Sequence, residues 1–144
     1  MEDAEVRRVV YETAMRSGRI PLAEEIASAL SVGRGEVVEA FRRLAGTHIL
    51  VLQRDRDEVL MAMPFSAVPT PFVVESGGVR AHANCMWDAL GIPAMLHADA
   101  TITTSCNDCG TAATLTVADE EVRDGGVVHF ALPVKQWWND VVFT

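Results

Sequence analysis

The sequence predicts an α+β protein in which a winged-helix-like lobe of three helices and a hairpin precedes a small mixed β-sheet carrying one short helix. Three observations lead there. Apolar residues recur at three- and four-residue steps through the first 45 positions, two β-like runs then flank a charged turn, and from Pro64 onward short β-branched runs alternate with Pro and Gly. The change of pattern divides the chain into residues 1–64 and residues 65–144. A chain of 144 residues, 49% of them apolar, can bury one core or two small lobes that share one.

Val6, Val9, Val10 and Ala14 form one face behind an acidic first turn, which predicts a helix over residues 3–17 that Gly18 ends. Pro21 suits the first position of a second helix, with Leu22, Ile26 and Leu30 as its buried stripe. After a turn at 31–35, Val37, Val38, Phe41 and Leu44 predict a third helix over 36–45, with Gly46 as a left-handed cap. Residues 49–53 and 58–63 read as a hairpin across Arg54-Asp55-Arg56-Asp57. Pro64, Pro69 and Pro71 then mark an extended connector. Strands are expected at 72–75, 79–82, 100–105, 111–117 and 127–132, and a helix at 84–90, capped by Asn84 and stopped by Gly91 and Pro93. The run from Gln136 to Thr144 reads as an interrupted strand or loop.

Charge and apolar run length narrow the function. The net charge is −8, with only Arg34, Arg42 and Arg43 as a basic cluster and Glu36 and Glu39 beside them, so neither nucleic acid nor an anionic membrane is expected as a partner. The longest apolar runs are far shorter than the roughly 18 to 20 residues of a bilayer helix. An acidic start with no targeting segment, and an odd count of three cysteines, lead us to expect a cytoplasmic protein with free thiols.

The densest chemistry is Asn84-Cys85-Met86-Trp87-Asp88. On a helix Cys85 and Asp88 lie three apart on one face, with Cβ atoms roughly 5–6 Å from each other, so a thiol and a carboxyl can meet one ligand. A first-turn position would favour the Cys85 thiolate through the helix dipole. The bland alternative is a small buried cysteine beside a solvated or capping aspartate. Cys106-Asn107-Asp108-Cys109-Gly110 reads as half a zinc ribbon, a redox pair, or a turn with two incidental thiols. His48, His82, His97 and His129 are scattered, and Trp87, Trp137 and Trp138 read first as core or pocket wall.

Two stretches carry a further signal. Residues 64–70, Pro-Phe-Ser-Ala-Val-Pro-Thr, and residues 83–93, Ala-Asn-Cys-Met-Trp-Asp-Ala-Leu-Gly-Ile-Pro, resemble in order and spacing the core of the organomercurial (alkylmercury) lyases, with a winged-helix-like lobe before them. The resemblance runs from about residue 20 onward, and makes residues 65–144 a lyase-like catalytic lobe. It implies cleavage of carbon–mercury bonds by protonolysis, giving a hydrocarbon and Hg(II). Cys85 would be the first mercury ligand and nucleophile and Asp88 the proton carrier, both touching mercury as substrate and product. No cofactor is implied. An organomercurial small molecule is the expected partner, and a mercuric reductase or thiol carrier is the expected acceptor of Hg(II).

The family uses a second catalytic cysteine, which by spacing falls at or just past Thr144. The chain therefore reads either as a truncated version of a longer protein or as a divergent member, with impaired turnover in both cases. Cys106 falls where the family looks to carry a non-catalytic cysteine, and Cys109 is additional to that pattern. Two alternatives remain open: a non-catalytic thiol-based mercury-binding or sensing protein using Cys85, Cys106 and Cys109, and a winged-helix regulator using residues 36–45.

Overall fold

A computed structural model describes residues 2–123 and 126–142. Three helices open the chain: α1 (Asp3–Ser17), α2 (Ala23–Leu30) and α3 (Arg34–Gly46). A three-stranded antiparallel sheet follows, formed by β1 (Val51–Leu52), β2 (Val59–Ala62) and β3 (Phe65–Ser66). The second sheet contains β4 (Val73–Ser76), β5 (Val79–His82), β6 (Ala100–Ser105), β7 (Ala112–Ala118) and β8 (Glu121–Val122), in the spatial order β5-β4-β6-β7-β8. Helix α4 (Met86–Leu96) links β5 to β6, and a short 3-10 helix spans Val134–Asn139.

The α+β class and the order of helices before sheets are as expected. Within the second sheet every pairing among the described residues is antiparallel. The sheet expected to be mixed is thus antiparallel in its described pairings: α4 joins two strands of like direction, β5 and β6, but β4 lies between them.

The buried face of α1, Val6, Val10 and Ala14, packs with Val37, Phe41 and Leu44 of α3 and Ile26 of α2 in a cluster that continues through Phe65, Val74, Ile92 and Ile102. Each large side chain in it contributes about 1.5–3 kcal/mol of burial free energy. Gly18 ends α1 in the left-handed region at φ 73° and closes on β5: a Cβ there would meet the Arg80 carbonyl oxygen at 2.0 Å.

Several local expectations need correction. Pro21 precedes α2 instead of opening it, and Leu22 is its 54% exposed cap residue; the buried stripe is Ala23, Ile26 and Ala27. Helix α3 begins two residues early, at Arg34, because Glu36 accepts a hydrogen bond from the Gly33 amide and closes its first turn. Gly46 is its last helical residue, and the left-handed conformation falls on His48. Gly91 and Pro93 lie inside α4, which runs to Leu96 and is capped by His97. Here packing outweighs propensity, since Ala89, Ile92 and Pro93 are all buried. Gly91 serves as clearance, a Cβ there falling 3.3 Å from the Cβ of Pro64.

No strand forms over 127–132; Val127 is 93% exposed, and Phe130 is held instead by aromatic contacts. The expected terminal strand or loop is helical over Val134–Asn139, and its last two residues, with the position proposed for a second cysteine at or past Thr144, lie outside the described residues.

Gly18→Ala combines a left-handed backbone with a collision against main chain, so it is expected to cost at least about 1–3 kcal/mol. Urea unfolding of the two proteins checks this through a lowered midpoint at unchanged slope.

Candidate functional site

The site is assembled where β5 hands over to α4. Thr70 anchors the preceding connector: its hydroxyl donates to the Ala83 carbonyl at 2.6 Å, and its amide meets His82 Nδ1 at 3.1 Å. Ala83 bridges to Phe65, so β3 and the end of β5 are fixed side by side. The chain then turns into α4 with Cys85, not Asn84, as the N-cap. Its extended backbone aims the sulfur at the first helical turn, where Sγ accepts from the Asp88 amide at 3.5 Å.

Asn84 instead reaches four residues forward. Its Nδ2 donates to Asp88 Oδ2 at 2.9 Å and to the Pro64 and Phe65 carbonyls at 3.3 Å each. Exchanging its amide oxygen and nitrogen would set oxygen against three acceptors, so the orientation is settled by its surroundings. Its Oδ1 is buried and without a partner among the described residues.

Cys85 and Asp88 are both partly buried and in contact. The thiol and the carboxyl sit at the same helix terminus, and each perturbs the other's ionisation. Burial pushes the Cys85 thiol above its ordinary range, opposed by the Asp88 amide and reinforced by the nearby Asp88 charge. The expectation of a thiolate favoured by the helix terminus is thus overturned, because desolvation of the charge outweighs the amide. Burial also raises the Asp88 carboxyl, against the hydrogen bonds from Asn84 and Cys85. Both groups are therefore biased toward holding a proton.

Tyr11 of α1 extends this environment. Its hydroxyl donates to the Met63 carbonyl at 3.2 Å, and burial raises its pKa, with Arg7 opposing and the Asp88 charge adding to the shift. The sequence carried no sign of this residue, which lies 77 positions from Asp88. Asn84 drew notice in the sequence only as a helix cap, a place that Cys85 takes instead.

Trp87 is 61% exposed and meets Phe130 edge-on, with ring centroids 6.5 Å apart. Phe130 contacts Trp137 at 4.8 Å, and Trp138 stacks on His48 at 4.0 Å. This aromatic chain lays the C-terminal segment beside the start of α4. Two open concavities lie elsewhere, one along Ser76–Arg80 and Asp99–Thr101 and one between Asp3, Glu36 and Arg43; neither includes Cys85 or Asp88.

The remaining candidates are dispersed. Cys106 and Cys109 are exposed at the β6–β7 turn, apart from Cys85 and Asp88. Hydrogen bonds from the Thr111 hydroxyl, the Thr111 amide and Cys106 lower the Cys109 thiol. Among the described residues no three His, Cys, Asp or Glu side chains gather as a metal site. Arg34 pairs with Glu58, Arg42 with Glu39 and Asp57, and Arg43 with Asp3, so the basic cluster is locally neutralised.

Two outcomes are expected. A carboxyl whose folded pKa is raised binds more protons folded than unfolded, so Asp88 makes stability fall as pH rises from the unfolded value of 3.8 through the folded one. Asp88→Asn should therefore raise the urea midpoint at neutral pH, with the gain shrinking as the pH falls through the folded pKa toward 3.8 and absent below it. Iodoacetamide at neutral pH should label Cys109 well before Cys85, as read by peptide mass spectrometry; faster labelling of Cys85 would contradict a thiol raised by burial.

No curated protein matches the chain. The crystal structure of the mercury-bound form of MerB2 superposes with a TM-score of 0.63 at 20% identity, covering 83% of this chain. The chain spans 59% of the length of that protein, and the likeness establishes a shared fold. Residues 65–144, more than half of the chain and including both Cys85 and Asp88, match MerB, alkylmercury lyase, and on that match the chain belongs to the alkylmercury lyase family.

Proposed function

We propose that this protein cleaves organomercurials by protonolysis, with Cys85 as mercury ligand and nucleophile and Asp88 as proton carrier. The observation that carries the reading is the placement of the Cys85 sulfur at the first turn of α4, 3.5 Å from the Asp88 amide, beside a half-buried carboxyl that Asn84 holds at 2.9 Å. Hg(II) is a soft acid, and cysteine sulfur is the protein ligand best matched to it. As sulfur bonds to mercury and displaces the halide or water that the organomercurial carried, the thiol proton passes to the Asp88 carboxylate. The carboxyl, raised by burial, keeps that proton until the carbon–mercury bond breaks and then delivers it to the departing carbon. The products are a hydrocarbon and Hg(II) on sulfur.

Asn84 positions Asp88 without entering the chemistry. Met86, Trp87 and Phe130 supply an apolar border for the organic group. Cys85 is the single thiol beside Asp88 among the described residues, so turnover by the 144-residue chain should be slow unless an added monothiol supplies a second sulfur. In the same reading, residues 1–64 are a winged-helix-like lobe and 65–144 the lyase-like one. The protein works in the cytoplasm, needs no cofactor, and passes Hg(II) to a mercuric reductase or thiol carrier.

Gas chromatography of methane from methylmercury, or benzene from phenylmercury, tests the mechanism. Cys85→Ser should reduce release to background, and Asp88→Asn should lower the rate by roughly 10²–10⁴-fold while mercury binding persists. Undiminished release by Cys85→Ser would exclude this chemistry. Stoichiometric mercury retention with no hydrocarbon from the unsubstituted chain would instead establish the non-catalytic binding alternative.

A further inference from the structure

The Cys106–Cys109 turn is a piece of chemistry the proposed reaction does not use. It closes the β6–β7 hairpin: the Cys106 amide donates to the Thr111 carbonyl at 2.9 Å, and the Gly110 amide, with Gly110 at φ 71°, donates to the Cys106 carbonyl at 2.8 Å. This curl places Cys106 and Cys109 three residues apart in one tight turn with both exposed, and Cys106 is among the groups that lower the Cys109 thiol. Cys109 Sγ also lies 3.1 Å from Thr111 Oγ1 and faces the Thr111 amide. Two sulfurs, with polar groups already turned toward one of them, form a preorganised dithiol open to solvent.

The donor set selects the ligand. Structural zinc requires about four ligands, and no three candidate ligands gather among the described residues. Two sulfurs suffice for a thiophilic ion content with two-coordinate binding.

Topology adds the second observation. Val73 pairs with His82 on one side and Thr103 on the other, so β5 and β6 finish at the same end of the sheet. Cys85 follows β5 and Cys106 follows β6 at that end, with the two strands separated by two strand spacings, about 10 Å.

We propose that the Cys106–Cys109 turn is a second, solvent-facing binding site for a two-coordinate thiophilic cation, Hg(II) in particular, on the same end of the sheet as Cys85. Binding breaks two S–H bonds, forms two S–Hg bonds and releases two protons to solvent, with no change of oxidation state. The identity of the ion rests on the lyase reading, since Hg(II) is the product released there; the binding itself does not require cleavage.

The test uses the full 144-residue chain, reduced, loaded with one equivalent of mercuric chloride and passed over a desalting column in millimolar glutathione. Cys85→Ser should retain one equivalent as a monomer, with near-ultraviolet thiolate-to-mercury absorption. Adding Cys106→Ser or Cys109→Ser should each weaken retention on the order of 100-fold, because the second sulfur then has to come from solution. Both replaced residues are exposed, and unchanged circular dichroism checks that the variants fold. Equal retention in all three variants, loss of mercury from Cys85→Ser alone, or retention only as a two-chain species would each overturn the proposal. Hydrocarbon release by the unsubstituted chain is assayed separately, so failure of the lyase reading is seen there and leaves the binding result distinguishable.

Discussion

One side-chain amide organises the site. Asn84 spans three acceptors drawn from two parts of the chain, the carbonyls of Pro64 and Phe65 and the carboxylate of Asp88. An acidic group taken from water is costly unless hydrogen-bonded, and Asn84 supplies that bond while locking the helix start to the strand beside it. Without it Asp88 would have reason to turn outward, away from the thiol. Gly91 and Pro64 reinforce the same junction from further along α4, where a missing side chain permits close approach.

That junction also explains why the two reactive groups resist ionisation. Cys85 and Asp88 are both raised chiefly by burial, and each lies close enough for its charge or proton to affect the other. Such a pair is suited to storing a proton until a ligand displaces it from sulfur. A solvent-exposed thiolate such as Cys109 favours, by contrast, is suited to capture and exchange. The fold thus holds thiols of opposite character at the same end of one sheet.

Much of this was legible in the residues. Helix α1 and its glycine stop, the apolar face of α3 and the strands at 79–82 and 100–105 follow directly from periodicity, because propensity and burial agree there. Agreement failed where tertiary contact outranks local preference. Gly91 and Pro93 read as a stop, yet the buried face of α4 carries the helix through both. Phe130 reads as a strand residue, yet its partners are two indoles with no strand edge beside it. At the site, the three-residue spacing of Cys85 and Asp88 forecast their meeting, but a helix terminus alone suggested the wrong direction for the thiol, since sequence spacing carries no measure of desolvation. Tyr11 was invisible for a simpler reason: nothing local connects α1 to a carboxylate on α4.

The shared finish of β5 and β6 has a consequence for how the molecule could be handled. All three sulfhydryls of the chain emerge from one pole, while the Gly77–Gly78 bend and the Asp119–Glu120 bend mark the opposite pole and carry none. A gold or mercurated surface would accordingly seize the protein in a single orientation, leaving the far bends pointing away as the natural place to attach a tether or dye.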